Sequence, residues 1–426
     1  MARKYSIETD EQNVRQGLFK LYSISIKPCE HLGFTLFSLK NTAELHFNPR
    51  SLAFILLLLR HFSVAIDIII FKNSVHVFDA IYPEQSATEK LTQQILARTT
   101  ILGDVLYTIF LFLYRKEIIQ FHKEQIQFVI EAFEPLTEKD KQWVLSCFPF
   151  ALRILKRYRR IIFAAFYYGV AYSIFMFIKA IMNSEKSMEE MGAAVYTLPI
   201  FYLTWTATSY LRLLQRLVMI TLFHGFKMDA IIINLQLKEF INEGELRKEY
   251  KSDSLWEWKP ENLENPQIKR IFKFIGKLEN IVVGANFVFG WCIPLDVLMM
   301  LITITTSLFS FIIFLLHSEF SAALTFGLPL VLNSAILFEF FNASYGFEAE
   351  GQKCTMLLRQ IPMSKLNHSE AIHVSLLQSK LLLQPLTIDP AVFFRVNRKT
   401  LSAITSAITT YLIVLVQFHN DEKLRK

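Results

Sequence analysis

The residues with the clearest chemical potential close the last apolar segment of the chain. There, Thr410-Tyr411 and Gln417-Phe418 bracket five apolar residues. Thr410, Val414 and either Gln417 or Phe418 recur at steps of three and four residues, so they share one stripe of a helix. Because an amide in hydrocarbon needs a partner or water, Gln417 indicates either a helix that stops at the membrane interface or polar positions that face a wet path.

Polar and aromatic side chains within other apolar segments predict a ligand pocket. Carboxylates and amides suit the hydroxyl groups of a polyol or sugar, and aromatic faces suit its C–H surfaces, whereas a mainly apolar compound needs only the aromatics. The candidates at the predicted outer-half depth are Asp67, Asp104, Tyr172, Tyr196, Trp205, Thr306 and Asn333. For each of them the alternative is a structural hydrogen bond between helices. Asp296 and Glu339 lie deeper, and we expect them to pair with Arg or with the backbone.

Other chemistries are not indicated. The four cysteines, at positions 29, 147, 292 and 354, form no CxxC pair and no ligand spacing, which argues against zinc and against a disulfide framework. No HExxH, GxSxG or glycine-rich nucleotide motif is present. We therefore expect no enzyme activity, no metal and no cofactor.

The composition sets the elements that must position these residues. Of 426 residues, 52% are apolar and 39 are Phe, and the apolar residues fall in blocks of about 20, the length that spans hydrocarbon. The pattern predicts an all-α membrane protein with seven transmembrane helices. Their spans are about 51–72, 98–115, 161–182, 194–215, 284–316, 320–346 and 400–419. The fifth is too long for one crossing, and Gly290 and Pro294 allow a kink in it.

Basic residues alternate between the segments that separate the spans. Segments 1–50, 115–160, 216–280 and 347–399 together hold 35 Lys and Arg, and the other segments hold 5. Since Lys and Arg concentrate in cytosolic loops, we predict a cytosolic amino terminus and an external carboxyl tail. The run of basic residues at 157–160 is then a flank of the third span rather than a nucleic-acid patch.

The long cytosolic segments carry helical periodicity of their own. Apolar residues recur at helical spacing among charges over 117–144, 227–250 and 267–283, which predicts amphipathic helices in a packed intracellular layer. The predicted organisation is a cytosolic segment (1–50), a six-helix ligand-binding bundle with cytosolic extensions (51–346), a cytosolic anchor region (347–399), and a seventh helix with a short external tail (400–426).

The closing string resembles the carboxyl-terminal signature of the insect gustatory receptor family: Thr-Tyr, five apolar residues, Gln-Phe. All four fixed positions match, at Thr410, Tyr411, Gln417 and Phe418, and the stretch 393–398 is similar to the family's approach to the last helix. The resemblance implies a ligand-gated, non-selective cation channel of the plasma membrane of sensory neurons. It implies four subunits, identical or related, whose last helices line one central pore.

On this resemblance the ligand is a tastant, either a sugar or a bitter compound, and the other partners are permeating cations and membrane lipid. Val414 and Phe418 would form apolar rings that close the pore by dewetting, Thr410 would line it, and Gln417 would offer amide oxygens to a cation. Asp421 and Glu422 either attract cations to the outer mouth or belong to a solvated tail. One alternative is a seven-span receptor that signals through a cytosolic partner without a pore. Another is a transporter, which predicts repeated halves that the sequence does not contain.

Overall fold

The computed structural model describes residues 2–31, 37–40, 43–47, 86–182, 194–243, 265–363, 366–390 and 394–424. These residues are almost entirely helical. The helices are α1 (Ala2–His31), α2 (Ala87–Leu113), α3 (Arg115–Phe133), α4 (Glu138–Met182), α5 (Ala194–Glu243), α6 (Pro266–Val288), α7 (Cys292–Leu316), α8 (Phe320–Arg359), α9 (His368–Leu383) and α10 (Arg398–Leu424). Two short strands, β1 (Phe37–Leu39) and β2 (Leu45–Phe47), pair antiparallel after α1.

Helix lengths separate a membrane part from a layer beyond it. At about 1.5 Å per residue, α4, α5 and α8 are each roughly 60 to 75 Å long, about twice the thickness of the hydrocarbon core. By length and composition, four helical segments in the described part of the chain are able to cross a membrane: Arg212–Asn242, Cys292–Leu316, Ala323–Arg359 and Arg398–Glu422. The first predicted span, 51–72, lies outside the described residues.

Two of the predicted helices are divided where the chain turns. The expected helix over 117–144 breaks between α3 and α4, where Pro135 follows Glu134 and Thr137 donates its hydroxyl to Asp140. The long fifth span is divided at Phe289–Trp291, so that residues 284–288 end α6 and the rest of the span is α7. The pair Gly290 and Pro294 had predicted a kink, and the structure has a full break there.

The core forms around α5, which packs against α8, α4, α1 and α6. The carboxyl-terminal half of α5 buries aromatic rings against α8. Phe223 lies 5.0 Å from Phe340, and Phe226 lies 5.7 Å from Phe347, measured between ring centroids. Such aromatic pairs add directional packing to the burial of apolar surface. The result is a rigid bundle against which α2, α7 and α10 are positioned.

Candidate functional site

The last helix, α10, is held by one narrow side. Ile404, Ile408 and His419 are buried and Leu415 is half-buried, and together they mark the face that packs on α7, α2 and α8. The other faces are exposed in the single chain. An apolar helix this exposed must meet lipid or further protein.

A polar stripe runs along the face of α10 that points away from the bundle. Ser406, Thr410, Ile413 and Gln417 are all exposed, and at about 100° per residue their mean direction lies about 180° from that of the buried face. Their spacing of four, three and four residues is the one that places side chains on a shared helical seam. Val414 and Phe418 lie about 70° and 110° to one side of this stripe, with exposures of 39% and 60%.

The hydroxyl groups on α10 are oriented by the helix backbone. Ser406 donates to the carbonyl oxygen of Ser402 at 3.1 Å, and Thr410 donates to that of Ser406 at 3.0 Å. Thr405 and Thr409 make the same type of bond four residues back. With their hydrogens directed at the backbone, these oxygens present lone pairs outward, which suits the coordination of cations rather than anions.

The carboxyl-terminal end of α10 is tied to the first turn of α2. One carboxylate oxygen of Glu422 accepts the N–H of Ala87 at 2.7 Å, and the other accepts the N–H and the hydroxyl of Thr88, both at 3.1 Å. The expectation of a solvated acidic tail is therefore wrong for Glu422. A carboxylate at a helix amino terminus meets unsatisfied N–H groups and the positive end of the helix dipole.

His419 forms the second half of this junction. Its Nδ1 lies 3.2 Å from the hydroxyl oxygen of Ser86 and 3.4 Å from a carboxylate oxygen of Glu89. The imidazole is 2% exposed, and its ring meets that of Phe309 of α7 edge-to-face at 6.1 Å. We name Ser86, Thr88, Glu89, His419 and Glu422 the outer junction, because the predicted topology places these residues on the external side.

The outer junction was not predicted from the sequence. Ser86 and Glu89 have the S-x-x-E spacing of a helix start, and Ser86 does cap α2 by accepting the N–H of Glu89 at 3.1 Å. That spacing identifies where α2 begins. It carries no information about the helix that packs on it from more than 300 residues away.

The predicted ligand residues are described to different extents. Asp67 lies outside the described residues, and the side chains of Asp104, Tyr196 and Trp205 are likewise not described, although α2 contains the first and α5 the other two. Tyr172 of α4 stacks on Tyr168 and lies 6.4 Å from Phe175. A common pocket for the seven residues stays a prediction.

Two of these candidates are engaged in hydrogen bonds within the bundle. The hydroxyl of Thr306 donates to the carbonyl oxygen of Ile302 at 2.8 Å. Asn333 accepts from Arg216 and donates to the carbonyl oxygen of Pro329 at 2.8 Å. This geometry favours the structural alternative for Asn333, because both ends of its amide are engaged.

A buried charge cluster joins α5, α7 and α8. Arg216 binds Asp296 through two contacts of 3.0 and 3.2 Å, and Arg212 lies 3.6 Å from the same carboxylate. The expected pairing of Asp296 with Arg is confirmed. Glu339 pairs with His224 at 3.4 Å instead of with Arg. Such contacts fix the register of the three helices, since one partner alone would be a buried charge.

An apolar cavity lies between α1, the β-hairpin, α2, α3 and α5. Its few polar walls include Tyr22 and His122. The hydroxyl of Tyr22 donates to Gln125 at 2.9 Å, and burial, followed by the charge of Asp229, raises the pKa of Tyr22. His122 donates from Nε2 to the carbonyl oxygen of Ala43 at 2.8 Å, and burial lowers its pKa to about 4. This cavity borders elements predicted to be cytosolic, so it is separate from the predicted outer pocket.

Helices of membrane-spanning length, extended into a packed layer, define a multi-pass helical membrane protein. The described residues contain no group of three or more His, Cys, Asp or Glu able to hold a metal ion. The chain belongs to the 7tm chemosensory receptor family, whose model matches residues 32–422. This is a family of receptors rather than of enzymes.

Solved structures share the fold. The insect olfactory receptor OR5 from Machilis hrabei in complex with eugenol is 13% identical, with a TM-score of 0.62 over 96% of this chain and 100% of that chain. A second structure of the same receptor is 12% identical, with a TM-score of 0.58 over 93% of this chain and 97% of that chain. No curated protein matches the sequence.

Proposed function

We propose that this protein is a gustatory receptor that acts as a tastant-gated, non-selective cation channel in the plasma membrane of sensory neurons. The observation that carries the proposal is the polar stripe of α10. A helix of membrane length presents Ser406, Thr410 and Gln417 on the face opposite its own bundle. Polar side chains facing lipid are costly, whereas the same side chains around a shared axis line a wet path.

The channel assembles as a tetramer, from identical chains or with related receptors. Four copies of α10 around an axis direct their stripes inward and leave the flanks to contact neighbouring subunits. On this arrangement Ile413 supplies the apolar constriction that closes by dewetting. Val414 and Phe418 then pack at the flank between subunits, and Gln417 forms the outermost ring of amides.

The proposed topology has seven spans, a cytosolic amino terminus and an external carboxyl tail. The outer junction supports it, because Glu422 of the tail contacts Ala87 and Thr88, which lie in the first predicted external segment, 73–97. That segment holds one basic residue, Lys90, whereas residues 420–426 hold three. The long helices α4, α5 and α8 then extend on the cytosolic side.

The proposed ligand is a small molecule bound in the outer half of the bundle, near Asp104 and Tyr172. A similar receptor is described in complex with eugenol, which supports a small organic ligand for this chain as well. Replacing an acidic residue of the proposed pocket separates a sugar receptor from a receptor for an apolar bitter compound. A sugar receptor loses its response when Asp104 becomes Asn or Ala, and a receptor for an apolar bitter compound keeps it.

The direct test is expression in cells that lack other receptors, with cation currents recorded under a panel of sugars and bitter compounds. We expect at least one tastant to evoke a cation current. A correctly folded surface protein that passes no current with any compound would contradict a channel formed by this chain alone. Surface labelling of an amino-terminal tag on intact cells would contradict the topology and favour a receptor without a pore.

A cysteine scan of α10 tests the polar stripe. Single cysteines at positions 406, 410, 413 and 417 should react with a charged, water-soluble thiol reagent and block the current. Cysteines at positions 404 and 408, on the buried face, are the matched controls and should not react. Equal modification of both sets would show that the stripe does not face the water-filled path.

A further inference from the structure

We infer that the outer junction is the coupling element between the ligand-binding bundle and the pore, with Glu422 and His419 as its positioning residues. This inference rests on the proposed function, because it assumes that α10 lines the pore. It assigns a specific role to five residues that the signature string does not contain.

The outer junction lies next to the proposed pore-lining residue Gln417 along α10. His419 and Glu422 follow Gln417 by two and five residues, so they lie about 3 and 8 Å further along the helix axis. A displacement of the junction is therefore delivered within one to two turns to the ring of Gln417. Of the other bundle-facing residues of α10, Leu415 is only half-buried, and the buried Ile404 and Ile408 lie two or more turns further back along the helix.

Through Glu422, the junction binds the amino-terminal turn of α2. The carboxylate accepts backbone N–H groups, which cannot move independently of the helix. The same α2 contains Asp104 and packs extensively on α7. A shift of α2 upon ligand binding therefore pulls directly on Glu422, and α10 follows as a rigid body.

The hydrogen bonds of the outer junction are strong and directional. The bonds to Glu422 are charge-assisted and lie at the positive end of the α2 dipole. Glu89 and His419 are 5% and 2% exposed, so water competes little for the contact between them. A contact of this kind transmits displacement, whereas an apolar contact allows α10 to slide along its neighbour.

The test compares Glu422→Gln, Glu422→Ala and His419→Phe with the adjacent exposed control Asp421→Asn, at matched surface expression. The readouts are the half-maximal tastant concentration and the maximal current. We expect Glu422→Ala and His419→Phe to raise the half-maximal concentration at least tenfold and to lower the maximal current. Glu422→Gln, which keeps an acceptor oxygen, should lie between these variants and wild type. Asp421→Asn should stay within twofold of wild type.

Ion conduction separates coupling from a merely structural role. The unitary conductance and the ion selectivity of the remaining openings should be those of wild type, because the pore lining is unchanged. Glu422→Ala and His419→Phe both within twofold of wild type in half-maximal concentration and maximal current would overturn the inference.

A second measurement does not depend on current. A Thr88→Cys and Glu422→Cys double variant, with a protease site engineered into segment 251–264, should be linked by a short bifunctional thiol reagent, and the link should keep the two fragments joined on a denaturing gel. Each single variant is the control for the native cysteines. If wild type passes no tastant current and the crosslink forms, the proposed function fails and the junction itself stands. If no crosslink forms in membranes, the junction is refuted.

Discussion

At the scale of single residues, the chemistry of this chain lies in side chains whose partners are fixed before any ligand arrives. The hydroxyls of Ser406 and Thr410 point their hydrogens to the helix backbone. His122 donates to Ala43, and Glu422 accepts from the first turn of α2. Each of these bonds determines what the residue still offers to its surroundings: lone pairs, a neutral imidazole or a helix anchor.

His122 makes the stability of the folded protein depend on pH. Burial lowers its pKa from 6.5 to about 4 in the folded state, so only the unfolded chain takes up a proton between these values. The stabilisation is complete above pH 6.5 and is lost as the pH falls towards 4, by about 3 kcal/mol in total. A His122→Gln variant keeps a donor for Ala43 and should show a flatter fall of the melting temperature over this range.

The exposed His368 provides the control for this prediction. A His368→Gln variant should retain the wild-type dependence of melting temperature on pH. If His122→Gln and wild type lose the same stability between pH 7 and pH 4.5, His122 is not the titrating group.

At the scale of elements, the cluster around Asp296 determines how α5, α7 and α8 meet. An Asp296→Asn variant leaves the guanidinium groups of Arg216 and Arg212 in the bundle without their carboxylate. Removing one partner of a buried ion pair costs about 3 to 5 kcal/mol. We expect a large loss of folded surface protein and a lower melting temperature in detergent, with Asp421→Asn unaffected. Wild-type surface levels in Asp296→Asn would show that the cluster is dispensable.

The elements also show what the sequence predicts and what it does not. The long apolar helices, their amphipathic extensions and the helix that carries Gln417 follow from apolar block lengths, helical periodicity and one motif. The direction of the stripe does not follow, because Val414 and Ile413 are both apolar and only the contact with α7 distinguishes their faces. Glu422 seemed a solvated acid for the same reason: its partner Thr88 is 334 residues away.

The helical periodicity failed where proline and turn chemistry acted against it. The pattern over 117–144 is continuous in hydrophobic spacing, but Pro135 lacks a backbone N–H and disfavours the helical conformation of the residue before it. The chain ends α3 at Phe133 and starts α4 at Glu138. Residues 51–72, which contain Asp67, lie outside the described residues, and a first span there stays a prediction.

At the scale of the whole molecule, the proposed pore requires more than one chain. The last helix buries one stripe and exposes the rest, so on the proposed function the pore forms only in the assembly. In a mild detergent we expect a particle with four copies of the 49.6 kDa chain. A purified monomer that still passed tastant-dependent current after reconstitution at one chain per vesicle would contradict the shared pore.

The measurement that tests the central claim most directly is the unitary current of Gln417→Ala beside its tastant response. We expect a changed unitary conductance or cation selectivity, with the half-maximal tastant concentration within about twofold of wild type, because the proposed position of Gln417 is in the ion path and outside the ligand pocket. An unchanged unitary current together with a shifted tastant response would contradict it, and the pore would then have to be sought elsewhere than along α10.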